Sequence, residues 1–268
     1  MVEKRLGAMV TGASSGLGMA FAERLAADGY DLILTARRRE RLEALAARLR
    51  PQGATVEILA GDLSDRDFLA SLEGRIASDD GLAFLVNDAG LGAYGPFLEL
   101  DPDLAEKQIA VHLTASIRLA RAALPGMVAR GKGAMVNVAS TFAFSSGVRM
   151  PARKRASYVA SKAHLVAFTE LLSHELDGTG VAVQALCPGV VRTEFHDGLG
   201  GRPPGVAVLE PADVVTASLA GLALGEVICI PQLEDLSALQ RYFDTRNALW
   251  DSARGETIAG RYKSEPSR

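Results

Sequence analysis

Residues 6–27, LGAMVTGASSGLGMAFAERLAA, decide the reading. An apolar run over Leu6–Thr11 meets a turn with glycines at 12, 16 and 18, and from Met19 to Ala27 the apolar residues recur at helical spacing. Strand, glycine turn and helix is the arrangement that brings main chain close to a pyrophosphate. A Cβ in the turn would block that approach, and the first N–H groups of the helix attract the anion. Gly12, Gly16 and Gly18, with Ser14, Ser15 and Leu17 among them, are therefore candidate dinucleotide contacts. The spacing is GxxxGxG rather than GxGxxG, and taken alone the motif also reads as a glycine-rich turn without a ligand.

Outward from this turn, short apolar runs alternate with amphipathic stretches. Strands are predicted at 31–36, 55–60, 82–86, 134–139, 181–186 and 227–230. Helices are predicted at about 38–49, with Leu42, Leu45 and Leu49 on one face, and at 103–130, 157–177, 211–224 and 235–250. Pro51–Gly53 breaks the second helix, and Pro125 is expected to bend or shorten the 103–130 helix. The alternation predicts an α/β, Rossmann-type, doubly wound parallel sheet of about seven strands, helices on both faces, in three layers. One domain is expected over 1–252, with a glycine- and proline-rich substrate lid at about 194–208 and a polar, fraying tail at 253–268.

The chain has 268 residues, 48% hydrophobic and 23% charged, with net charge −3. That suits one large core and argues against nucleic acid as a partner. No secretory pattern and no run of about 18 apolar residues is seen, so a cytoplasmic protein with no membrane span is expected. Cys187 and Cys229 sit in apolar strands, and the four histidines lack ligand spacing, so no metal is expected.

After the second strand, where an NAD site carries a carboxylate, the chain has Ala36, Arg37 and Arg38. A guanidinium there suits a 2′-phosphate, which points to NADP (NADPH); the other reading is a solvated helix start. Asp62 follows the third strand, and Asn87, Ala89 and Gly90 the fourth, at the strand ends where ligands bind. Tyr158 and Lys162, four apart on a helix, share a face. A phenol of pKa about 10 working near neutrality needs lowering by about 3 units, about 4 kcal/mol, for which an ammonium and a positive nicotinamide are suitable sources. Ser140, at the end of a strand, is placed to hydrogen-bond a substrate oxygen beside Tyr158.

In this order, the glycine turn, Asp62, NDAG (87–90), Ser140 and YVASK (158–162) resemble the short-chain dehydrogenase/reductase family over about residues 6–195. The resemblance implies an NADP-dependent oxidoreductase moving a hydride between nicotinamide and a small carbonyl or alcohol substrate. Ser140, Tyr158 and Lys162 would be the catalytic set, with Tyr158 as general acid/base and Lys162 also holding the nicotinamide ribose. Asp62 with Leu63 would contact adenine, and NDAG would steady the sheet beside the cofactor. Pro188 and Gly189 would shape the turn along the nicotinamide, with Val191 and Thr193 at its carboxamide. A homodimer or homotetramer is implied through the long helices, whose small apolar residues core packing explains equally.

Three departures from the family pattern stand out. Asp88 replaces the usual second Asn. His112 replaces the Asn that kinks the long helix and holds a water linking Lys162 to solvent; an imidazole can relay protons itself, or be a satisfied helix histidine. Ser140 and Tyr158 are eighteen positions apart, about five more than usual, the excess falling in GVRMPARKR (147–155). Its cations Arg149, Arg153, Lys154 and Arg155 would attract an acidic substrate or simply form a solvated loop. A different class of answer is a non-catalytic NADP-binding regulator that keeps the fold.

Overall fold

The computed structural model describes residues 5–149, 155–195 and 205–263. Strands β1 (Gly7–Thr11), β2 (Asp31–Ala36), β3 (Val56–Ala60), β4 (Leu82–Asn87), β5 (Gly133–Val138), β6 (Val181–Leu186) and β9 (Ile228–Cys229) form one parallel sheet in the order β3-β2-β1-β4-β5-β6-β9. The order reverses beside β1, and that switch point opens a crevice at the carboxyl ends of β1 and β4. Helices cover both faces, as the alternation of apolar runs predicts.

Successive strand residues point to opposite faces, so each strand feeds two cores. On one side Ala8, Val10, Leu32 and Leu34 pack with α1 (Gly16–Ala27), α2 (Arg39–Leu49) and α7 (Pro211–Leu224). On the other, Met9, Ile33 and Leu85 pack with α3 (Arg66–Ala77), α5 (Ser116–Arg130) and α6 (Ala156–Glu175). Leu42, Leu45 and Leu49 are all buried, as their spacing predicts. Complete burial of such a leucine contributes about 1.5–3 kcal/mol.

The structure adds a helix that the periodicity reading omits. In α3, Asp65 caps the first turn, its carboxylate accepting from the N–H groups of Asp67 and Phe68 at 2.9 Å. The long helix expected over 103–130 is three segments: α4 (Pro102–Ile109), a π-helical stretch Ala110–Ala115, and α5. Pro125 does not end α5, which runs on to Arg130. Pro125 and Arg121, whose carbonyl loses its partner, are both exposed to water, while Ala123, Leu124 and Met127 anchor the other face.

Past β6, β7 (Val190–Val191) pairs in parallel with β8 (Val208–Leu209) in a separate two-stranded sheet. Of the expected lid, residues 196–204 lie outside the described residues, as do Arg153 and Lys154 of the basic insert. A first compact unit ends at Pro231, and residues from Gln232 form a second, with α8 (Ser237–Ser252). Among the described residues no helix is long and apolar enough to cross a membrane, and no cluster of His, Cys, Asp or Glu has the makings of a metal site.

Candidate active site

The turn after β1 folds as it does because of its glycines. Gly12 and Gly16 have φ of +71° and +59°, where side chains are strained. Gly18 has ordinary φ but no space: a Cβ would lie 2.6 Å from the Gly12 carbonyl oxygen. Thr11 fastens the turn to the next strand, its hydroxyl donating to the Val86 carbonyl and accepting from the N–H groups of Asp88 and Ala89. Helix α1 begins at Ser15 with no side-chain cap and no acidic residue in its first turn. An uncapped, uncharged helix start beside the glycine turn fits a bound pyrophosphate.

A cavity of about 490 Å³ runs from this turn to Tyr158. Along it the structure brings together Gly12, Ser14, Ser15, Gly16 and Leu17, then Arg37 and Arg38, then Asp62 and Leu63. Ala89 and Gly90 follow, and at the far end Ser140, Tyr158 and Lys162, with Pro188, Gly189, Val191 and Thr193. Asn87, His112 and Gly18 stand behind this wall rather than in it. Asn87 donates to Asn137 Oδ1 at 2.8 Å, and Asn137 donates to the Thr169 hydroxyl at 2.9 Å, which ties β4 and β5 to α6.

Arg38 reaches back over the glycine turn, donating to the Ser14 hydroxyl at 2.9 Å and the Ser15 hydroxyl at 2.8 Å. Asp62 accepts from the backbone N–H and hydroxyl of Ser64 and pairs with Lys107 at 2.7 Å. Partial burial pushes its carboxyl up, but Lys107 and Ser64 outweigh this and hold it down at about 2.

At the other end Tyr158 and Lys162 lie one turn apart on α6, both buried. Ser140 and Tyr94 line the cavity beside Tyr158, the Tyr94 ring lying edge-on to the Tyr158 ring. Burial, then Tyr94, push the phenol well above its usual value, while Ser140 and the Arg155 charge work in the opposite sense. The direction is opposite to the lowering that work near neutrality needs, for which the Lys162 ammonium and a bound positive nicotinamide are the expected sources. The phenolate loses its hydration in this pocket, and the ammonium is turned elsewhere: Lys162 Nζ donates to the Val138 carbonyl at 2.7 Å and lies 5.7 Å from the Tyr158 ring centroid. Burial brings Lys162 down to about 8, against the opposing charge of Asp88. Asp88 is pushed up to about 7 by burial, although Lys162 and the Gly18 N–H both favour its charged form.

The model for the short chain dehydrogenase family matches residues 7–201. The chain belongs to that family. Among solved structures, a short-chain dehydrogenase from Sphingobium yanoikuyae in complex with NADPH is 36% identical, with a TM-score of 0.90 over 96% of this chain and 100% of that one. The bulky-bulky ketone specific alcohol dehydrogenase of Comamonas testosteroni is 31% identical, with a TM-score of 0.86 over 96% and 98%. A short chain dehydrogenase of Pseudocercospora fijiensis is 36% identical over 191 residues, 70% of this chain; the match spans 60% of that longer protein.

Around Tyr158 this member of the family also gathers residues that its motifs do not mark. The rings of Tyr94, Phe142 and Phe195 stand 5.0, 6.4 and 6.0 Å from that of Tyr158 and wall the space beside its hydroxyl. The Arg155 guanidinium stacks over Phe142 at 4.0 Å and beside Tyr94 at 5.1 Å. The NDAG and TEF stretches flag the neighbourhood of Tyr94 and Phe195, but nothing in their spacing says that two rings meet over a third. The two cysteines are buried, their thiols pushed up by burial to about 12 for Cys187 and about 11 for Cys229, so neither is a reactive thiolate.

Proposed function

We propose that this oxidoreductase is NADP-dependent and reduces a ketone or aldehyde, with Tyr158 as the general acid and, in reverse, the general base. One observation carries the reading: a buried phenol, with Ser140 beside it and a buried lysine one turn along its helix, opens onto the same cavity as the glycine turn. The likeness to a dehydrogenase holding NADPH and to one specific for bulky ketones supports it.

Bound NADPH would supply the hydride. The glycine turn and the uncapped start of α1 hold the pyrophosphate, Arg38 and Arg37 receive the 2′-phosphate, and Asp62 with Leu63 borders the adenine. Ser140 fixes the carbonyl oxygen against Tyr158. Because burial keeps Tyr158 protonated, it enters the reaction as a neutral phenol whose O–H donates to that oxygen as negative charge develops. Lys162, 5.7 Å from the Tyr158 ring centroid, would hold a ribose hydroxyl of the bound cofactor and add positive charge near the phenolate left behind. Tyr94, Phe142 and Phe195 exclude water and give the substrate an apolar, aromatic seat. His112 braces the loop after β4 rather than passing protons. The cytoplasm and a homo-oligomer joined through the long helices remain the expected setting.

The test is Tyr158→Phe assayed by NADPH absorbance against a panel of bulky ketones, with NADPH binding followed in parallel by fluorescence. Turnover is expected to fall about 10²–10⁴-fold with cofactor affinity retained. Turnover at the wild-type rate, or no oxidation of NADPH by wild-type protein with any carbonyl, rejects the reading.

A further inference from the structure

We infer that Glu194 is a specificity-determining residue that competes with the cofactor's 2′-phosphate for Arg38 and Arg41. The inference rests on the NADP reading and concerns how tightly the phosphate is held. Glu194 follows β7, far along the chain from the two arginines, yet its carboxylate spans both. Arg38 donates to Glu194 Oε2 at 2.9 Å, and Arg41 donates to Oε1 at 2.6 Å and Oε2 at 2.7 Å. Arg41, then Arg38, hold this carboxyl below its usual range.

Carboxylate and phosphate oxygens take the same guanidinium donors in the same forked geometry. Arg38 is the cation that also grips Ser14 and Ser15 at the mouth of the glycine turn, and in the NADP reading it would receive the 2′-phosphate there. An arriving phosphate therefore meets donors already turned towards Glu194. Of the neighbouring cations, Arg48 pairs with Glu23 and Arg192 with Glu210, so relief falls to Arg37, which also lines the cavity. The pairs are more than a third exposed, so the competition is modest in size, but it falls on the one group that distinguishes NADP from NAD.

The experiment measures calorimetric Kd values for 2′,5′-ADP, which carries the phosphate, and 5′-AMP, which lacks it, in wild type, Glu194→Gln and Glu194→Asp. Glu194→Gln is expected to tighten 2′,5′-ADP about three- to fivefold and to leave 5′-AMP within about twofold, with an unchanged melting temperature. Glu194→Asp keeps the charge but is one methylene shorter, and it should follow the Gln variant rather than wild type. If 2′,5′-ADP binds Glu194→Gln no more tightly than wild type, or if Glu194→Asp matches wild type so that net charge alone matters, the inference is overturned. Failure of the NADP reading looks different: wild type would hold 2′,5′-ADP no better than 5′-AMP, and only a preference emerging in Glu194→Gln would then sustain the role of Glu194.

Discussion

His112 Nδ1 lies 2.8 Å from the Ser161 hydroxyl, and its other nitrogen accepts the Leu91 N–H at 3.0 Å. Because Nε2 is an acceptor, the ring proton is on Nδ1, and Ser161 passes the chain on by donating to the Tyr158 carbonyl at 2.8 Å. The imidazole thus ties the loop after β4 to α6 through a closed run of hydrogen bonds. The π-helical turn at Ala110–Ala115 carries the ring that makes this tie.

The first prediction follows from that bracing. Burial, then the charge of Lys162, hold His112 well below the usual imidazole value. A histidine whose folded pKa is depressed contributes fully above its unfolded value of about 6.5 and costs stability as pH falls below it, because the unfolded state takes up the proton more readily. His112→Asn should lose about 1–3 kcal/mol at pH 8 through an unmet partner, and the gap to wild type should narrow towards pH 5. Thermal melts across that range check it. The alkaline limb of kcat/KM should stay where it is in wild type; a displaced limb would show that the imidazole relays protons after all.

Asp88 supports a second prediction. Its charge is one of the influences raising Lys162, whose pKa burial has brought down to about 8. Asp88→Asn, which restores the residue usual in the family, removes that support, so Lys162 should lose its proton at lower pH. Activity that needs the ammonium is lost as pH rises past the lysine pKa. The variant's kcat/KM profile should therefore fall off at lower pH than wild type, with little change near pH 6. An alkaline limb that stays put or moves up would show that Asp88 and Lys162 do not interact.

Much of this site was legible because its elements are periodic. Strands β2 and β6 and helix α7 lie where alternation and Pro211 place them, and Tyr158 and Lys162 meet because four residues make about one helical turn. Helix α3 was passed over although Asp65 is a capping residue and Leu69, Leu72 and Ile76 follow at helical spacing; the signal was present and short. The tie from Asn87 through Asn137 to Thr169, and the reach of Glu194 to Arg38, had no local signal. They join residues 50, 32 and 156 positions apart, which only the folded sheet brings together. Spacing also shows which groups neighbour Tyr158 but not how dry its pocket is, and burial sets the direction of its shift.

Arg155 supplies a third prediction. Its guanidinium, stacked on Phe142, is one of the influences that lower the Tyr158 phenol against its burial. Arg155→Met keeps the apolar stem and removes the charge, so the phenol should ionise at still higher pH. In the oxidative direction, where Tyr158 must be the phenolate, the ascending limb of kcat/KM should move to higher pH. If the limb is unmoved while KM for acidic ketones alone rises, the guanidinium serves the substrate and not the phenol.

The last prediction concerns Gly18, whose requirement is spatial rather than conformational. A Cβ there would lie 2.6 Å from the Gly12 carbonyl oxygen, 2.7 Å from its carbon and 2.8 Å from Asp88 Oδ2. Main chain cannot swing aside as a flexible side chain would, so Gly18→Ala must push the turn off α1. Overpacking of this kind costs about 1–3 kcal/mol, and here the displaced atoms belong to the turn proposed to cradle the pyrophosphate. Melting temperature should drop and NADPH affinity should fall at least tenfold. Gly74→Ala, on α3 with open space around the added methyl, is the control and should be neutral or stabilising, since alanine is the better helix former. Equal behaviour of the two variants in the binding assay would mean that the close approach of α1 to Gly12 does not shape the cofactor site.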